Sequence, residues 1–215
     1  MSRLRFADAV ALGSLALAAA VSAVVHERLP ERVATHFDLH GQPDGFMPRT
    51  AAAAFLPAFG LGLWALVRFA PRILPGAERR RLGDDVVPVV AALKAVFLSA
   101  LQIAVLGVAL VPGFTITRPL WLGVGVIYVG LGLVMPRVRR NGLVGIRTPW
   151  TLASDENWAR THRVAGYTMI ASGLAAAILG SVGGAVATVL AVVCLLAGAV
   201  VPSVYSLLLA RRSDA

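Results

Sequence analysis

The chain has 215 residues, of which 58% are hydrophobic and 14% charged, and its mean hydropathy is +0.77. Soluble domains carry roughly 25% charged residues, so this composition excludes an ordinary soluble domain and points to the membrane class. The net charge is +9 with a pI of about 11.3, which in such a chain bears on topology before it bears on nucleic acid.

A bilayer core about 30 Å thick takes about 20 apolar residues per helix. The first such run is Ala7–Val25. Arg3 and Arg5, the apolar run and "AVSA" at Ala20–Ala23 also fit a cleavable signal peptide; we read the segment as a signal anchor and first span. Asp8 lies near its start.

A long connection, His26–Thr50, follows. In "LPERVATHFDLHGQPDGFMPRT" the residues alternate. Val33, Thr35, Phe37 and Leu39 share one face of an extended strand, and His36, Asp38 and His40 share the other. "GQPDG" at Gly41–Gly45 is turn chemistry, and Phe46 and Met47 begin a return strand. His36, Asp38 and His40 on one face have the nitrogen and oxygen donors of a metal site, with Asp44 or His26 to complete it. The alternative is a solvated strand face, with Asp38 and Asp44 capping turn amides.

The next spans are Ala51–Phe69 and Val86–Val111, joined by Ala70–Asp85 with "PGAERRRLGDD". Lys94 and Gln102 lie inside the third span, where polar groups are costly and often functional, although the Lys94 stem is long enough to snorkel. After the short turn "PGFTITR" comes the fourth span, Pro119–Met135. Pro57 and Pro202 fall within spans and are candidate kinks.

The connection Pro136–Arg163 carries "NGLVGIRTPWTLASDENWARTHR". Gly142 and Gly145 permit unusual backbone angles, and Thr148, preceding Pro149, should be extended. Ser154 is a good N-cap, with Asp155 and Glu156 in the first turn, where the helix dipole favours acids. The helix then runs through Trp158, Thr161 and His162, and Trp158 and His162 share a face at i, i+4. It leads into the fifth span, Val164–Gly180, and after "GSVGG" the sixth, Ala185–Ala210. Arginines and tryptophans at the inner leaflet account for Arg137, Arg139, Arg140 and the neighbourhood of Trp150 and Trp158. They do not account for the order Gly145-Ile146-Arg147-Thr148-Pro149-Trp150, which reads as a defined fold. In it, the planar fork of Arg147 would donate to helix C-terminal carbonyls or to a carboxylate.

The basic residues sort by loop. Arg3, Arg5, Arg68, Arg72, Arg79, Arg80, Arg81, Arg137, Arg139, Arg140, Arg147, Arg160, Arg163, Arg211 and Arg212 fall on one side, fifteen in all. Arg28, Arg32, Arg49 and Arg118 fall on the other. The positive-inside rule places the fifteen, and both termini, in the cytoplasm. The expected fold is all-α and integral to the membrane, with six spans and a small hairpin in the first extracytoplasmic loop. Two regions are expected: 1–70, holding the outer loop 26–50, and 71–215, holding the loop 136–163. No metallopeptidase, nucleophile-elbow, phosphate-loop or paired-cysteine motif occurs, and Cys194 is the single cysteine.

"NGLVGIRTPWTLASDENWARTHRVAG", Asn141–Gly166, resembles the signature of the SdpI family of bacterial membrane proteins. "LPERVATHFDLHGQPDGFMPR", Leu29–Arg49, resembles the extracytoplasmic element of the associated domain of unknown function, DUF1648. The resemblance implies immunity to a secreted killing peptide, with a cytoplasmic repressor drawn to the membrane as a further partner. We expect no cofactor and no direct contact with nucleic acid. On the side from which a secreted peptide arrives, recognition is expected at His36, Asp38, Gly41 and Asp44, and the inner signature loop comprises Asn141, Gly145, Arg147, Thr148, Pro149, Trp150, Trp158, Thr161 and His162. The family pattern has a histidine at His36 and none at His40, which counts against a metal set using both. The alternatives are a small transporter or flippase-like protein with Lys94 and Gln102 lining its path, and a metal-dependent membrane enzyme using His36 and Asp38.

Overall fold

In the computed structural model, which describes residues 3–73, 76, 86–142 and 144–213, six helices are long and apolar enough to cross a membrane. They are α1 (Arg3–Val25), α2 (Arg49–Phe69), α3 (Val86–Leu110), α4 (Thr117–Val134), α6 (Asp155–Val182) and α7 (Ala185–Ser213). A short helix, α5 (Pro149–Ala153), precedes α6. The basic run Arg79–Arg81 lies outside the described residues.

The expected fifth span is only part of α6, which continues back without a break to the Ser154 cap. Backbone hydrogen bonds must be satisfied internally in lipid, so the polar start at Asp155 and the apolar remainder share one helix. Helix α3 packs against α1 and α2, and α6 packs against both α4 and α7, with α3 also touching α4. Glycines set the closeness of α4 and α6. A Cβ at Gly132 would come 2.8 Å from the Gly166 carbonyl, and one at Gly125 would come 2.7 Å from the Gly173 carbonyl. Small residues that let backbones approach drive helix association in lipid, where no hydrophobic effect separates helix from tail.

Between α1 and α2, strands β1 (Arg32–Phe37) and β2 (Pro43–Pro48) pair antiparallel, with Val33 opposite Met47 and Ala34 opposite Phe46. The alternation places Val33 fully inside, with Thr35 and Phe37 half-buried beside it. Leu39 departs from that face and is exposed, because the strand ends at Phe37 and a turn intervenes. Val33 and Leu29 join Ala52, Ala104, Val105 and Ile116 in a core that fixes the hairpin over one end of α2, α3 and α4. At the other end, the Arg68 Nε reaches both Asp8 oxygens, at 3.1 and 3.0 Å, joining α1 to α2. This partner explains an aspartate near the start of a span.

Candidate functional site

The hairpin turn is built on Asp38. Its carboxylate accepts the backbone N–H groups of His40 and Gln42, both at 2.8 Å. The Gln42 amide, helped by the amide and ring of His40 and opposed by burial, holds the Asp38 carboxyl below the usual carboxylate range. Gly41 turns the chain at φ 77°, and a Cβ there would come 2.5 Å from Thr117 Oγ1 at the start of α4. Glycine is therefore required twice over, for the left-handed backbone and for the close approach. The Leu39 carbonyl accepts from Thr188 Oγ1 at 3.4 Å, so the turn also touches the start of α7.

Asp38 caps turn amides as expected, but Asp44 does not: its Oδ1 lies 2.5 Å from His36 Nδ1. His40 Nδ1 is 3.6 Å from Asp38 Oδ2. The four residues therefore form two separate His–Asp pairs. Among the described residues, no three His, Cys, Asp or Glu side chains converge to hold a metal ion.

The opposite end carries a more heavily bonded structure. Thr148 is extended and its side chain accepts the Thr151 N–H, while Thr151 Oγ1 accepts the Thr148 N–H at 2.9 Å; together they form a capping box for α5. Thr151 Oγ1 also reaches the Ile146 carbonyl at 2.8 Å. Ser154 accepts the Asn157 N–H at 3.2 Å and caps α6. Asn141 is buried and closes the loop upon itself: its amide donates to the Arg139 and Val144 carbonyls, and its oxygen accepts the Val144 N–H.

His162 organises the centre. The rings of Trp158 and His162 stack at 4.0 Å, as their i, i+4 spacing allows. His162 Nδ1 lies 2.8 Å from the Trp158 carbonyl, and Nε2 accepts the Ile146 N–H at 3.1 Å. Two such partners fix the neutral ring with its proton on Nδ1. Trp158 is buried, and its indole N–H donates to the Val138 carbonyl at 2.7 Å. Trp150 donates to Ser206 Oγ at 2.6 Å, and the Asn157 amide donates to the Ser206 carbonyl at 2.9 Å. Thr161 Oγ1 donates to Asn157 Oδ1 at 3.0 Å. The tryptophans are thus structural members of the loop. Trp158 is not an exposed interfacial ring, because its polar edge satisfies the Val138 carbonyl.

Arg147 donates to the Gly142 carbonyl of its own loop and its side chain is exposed. The expected fork belongs instead to Arg140. Its Nε lies 2.7 Å from Asp155 Oδ1, its Nη2 is 3.3 Å from Oδ2, and its Nη1 donates to the Leu152 carbonyl at 2.7 Å. Arg140 holds the end of α5 against the start of α6, so it is not a free lipid anchor.

Within α3, Gln102 is fully buried and its Nε2 faces Ser22 Oγ at 3.0 Å and the Ala52 carbonyl at 3.2 Å. It stitches α3 to α1 and α2. Lys94, two turns nearer the loop end, has no ion-pair partner among the described residues. Asn157 and Ser206 are signature-loop residues that the sequence reading did not single out, and Arg140, read there as a leaflet arginine, instead grips Asp155. The one available signal was Ser206 itself, a hydroxyl in an apolar span.

The SdpI/YfhL protein family model matches residues 137–206. The first of these residues lead into the Arg140 clamp and the last, Ser206, receives the Trp150 indole, so the SdpI/YfhL match encloses the whole polar network. The DUF1648 model matches residues 13–61, which contain the hairpin and most of its two flanking helices. The chain is 32% identical over 84 residues to "Immunity protein SdpI" of Bacillus subtilis (strain 168). That match spans 39% of this chain and 41% of the relative. No solved structure matches the chain. With six apolar helices and a match to the SdpI/YfhL model over residues 137–206, the chain is a multi-pass membrane protein.

Proposed function

We propose that this protein gives its host immunity to a secreted antimicrobial peptide, met by the hairpin end outside the cell. The likeness to an immunity protein, over a stretch of 84 residues, is the observation that carries this reading. By sequence, fifteen of the twenty basic residues fall near the two termini and in the segments 68–81 and 137–163, which supports a cytoplasmic loop and cytoplasmic termini. In this orientation His36, Asp38, Gly41 and Asp44 face the arriving peptide. The loop around Arg147 faces the cytoplasm, where a repressor would be the second partner.

The geometry supports a relay between the two. Thr188 touches the hairpin turn and Ser206 holds the signature loop, and both lie on α7. Their separation along that helix is about 27 Å at 1.5 Å per residue, close to a bilayer core. A peptide that binds two packings of the bundle unequally shifts the loop by the difference in those affinities.

The test is a deletion strain challenged with cell-free culture supernatant of its own species, with and without the gene restored. We expect the deletion strain to be several-fold more sensitive and the restored strain to recover. Equal sensitivity of deletion and parent overturns the reading, and altered uptake or efflux of a solute in its place would favour a transporter.

A further inference from the structure

We propose that the segment Pro136–Arg140 forms a phosphate-binding site that takes the phosphodiester headgroup of an anionic lipid. After the 3-10 turn Met135–Arg137, the backbone is extended at Val138, with φ −70° and ψ 114°. Side chains alternate in an extended segment. Val138 is buried, while Arg137, the last residue of that turn, and Arg139, which follows Val138, are both exposed. They line one hollow of about 450 Å³ with Arg140, Asp155 and Trp158.

The charges in that hollow do not balance. Asp155 is its one carboxylate and is held by Arg140. Among the described residues, Arg137 and Arg139 have no ion-pair partner. The site therefore presents two unspent guanidiniums, each a planar fork that matches phosphate oxygens. The Val138 carbonyl, which would repel an anion, is taken by the Trp158 indole. The hollow sits at the end of α4, so a headgroup reaches it from the bilayer surface without leaving the leaflet. A free phosphate has the same chemistry, and the experiment separates the two sources.

The purified full chain in neutral detergent is titrated with short-chain phosphatidylglycerol, with phosphatidylcholine of equal chain length, and with sodium phosphate against sodium chloride at equal ionic strength. Thermal unfolding is the readout. We expect phosphatidylglycerol to raise Tm and phosphatidylcholine to leave it unchanged. The double variant Arg137→Gln, Arg139→Gln should need about tenfold more phosphatidylglycerol for the same shift, and each single variant should fall between. Arg160→Gln removes a charge at the same end that is already paired with Glu156 at 2.9 Å, and it should respond as the parent does. Stabilisation by phosphatidylglycerol alone identifies a lipid headgroup, whereas equal stabilisation by sodium phosphate supports the site and assigns it to free phosphate. The proposal is overturned if neither ligand acts, if both single variants respond as the parent, or if Arg160→Gln loses as much as they do.

Discussion

Nε2 of His162 accepts the Ile146 N–H at 3.1 Å, and a Cβ on Gly145, one residue earlier, would come 2.3 Å from that same nitrogen. Gly145 also has φ 117°, a backbone state that side chains resist. Gly145→Ala therefore both strains the loop and displaces the ring that organises it. We expect a loss of about 2–4 kcal/mol of stability, read as a lower Tm in detergent. Gly62→Ala, where nothing lies within 4 Å, should leave Tm unchanged. Equal Tm for both variants would remove His162 from the centre of the loop.

Arg140 and Arg147 make opposite predictions. Arg140→Lys replaces a fork that spans Asp155 and the Leu152 carbonyl by a single point donor. It should cost about 1–2 kcal/mol. Arg147→Lys alters an exposed side chain with one loop-carbonyl contact and should stay within about 0.5 kcal/mol of the parent. A loss of protection in Arg147→Lys at unchanged stability would then report recognition by a partner rather than misfolding. Unchanged protection would mark the loop as scaffold.

The hairpin turn should respond to acid. Hydrogen bonds to the ionised Asp38 hold its carboxyl below the usual range, so the folded turn favours the charged form more than the unfolded chain does. That stabilisation is present above the ordinary value of 3.8 and is lost as pH falls through the lower, folded value. Hydrogen exchange at the Gln42 amide should lose its protection there, after correction for intrinsic rates. Asp38→Ala should abolish the protection at every pH, and a pH-independent protection in the parent would contradict the turn chemistry.

Orientation is checked with two cysteines in a Cys194→Ala background. Gln42→Cys at the hairpin end should react with an impermeant thiol reagent in intact cells, and Gly142→Cys at the loop end should not. The opposite labelling pattern would invert the proposed topology and exchange the roles of the two ends.

The spans were legible because an apolar run of 20 residues has few alternatives to a membrane helix. The Ser154 cap and the Trp158–His162 pair were legible for the same local reason: each depends on neighbours three or four positions away. The roles of Arg140 and Arg147 were not. Both are arginines in one loop, and which of them reaches Asp155 is decided by the backbone path through Asn141 and Gly145. The pairing of Asp8 with Arg68 was hidden likewise, since it depends on how α1 meets α2. Leu39 was misplaced because alternation predicts faces only while the strand lasts, and Asp38 ends it.

The bond from Trp150 to Ser206 spans 56 positions of the chain, and that from Asn157 spans 49. Both have an order in time as well as in space. At about 5–20 residues per second, roughly 3–11 s of synthesis separate the indole from its hydroxyl. Throughout that interval the signature loop is made but unfinished, its amide and indole held only by water, headgroups or the insertion machinery. The sixth of these spans is therefore the one that locks the loop, and a nascent chain stalled before residue 206 carries the signature without its final shape.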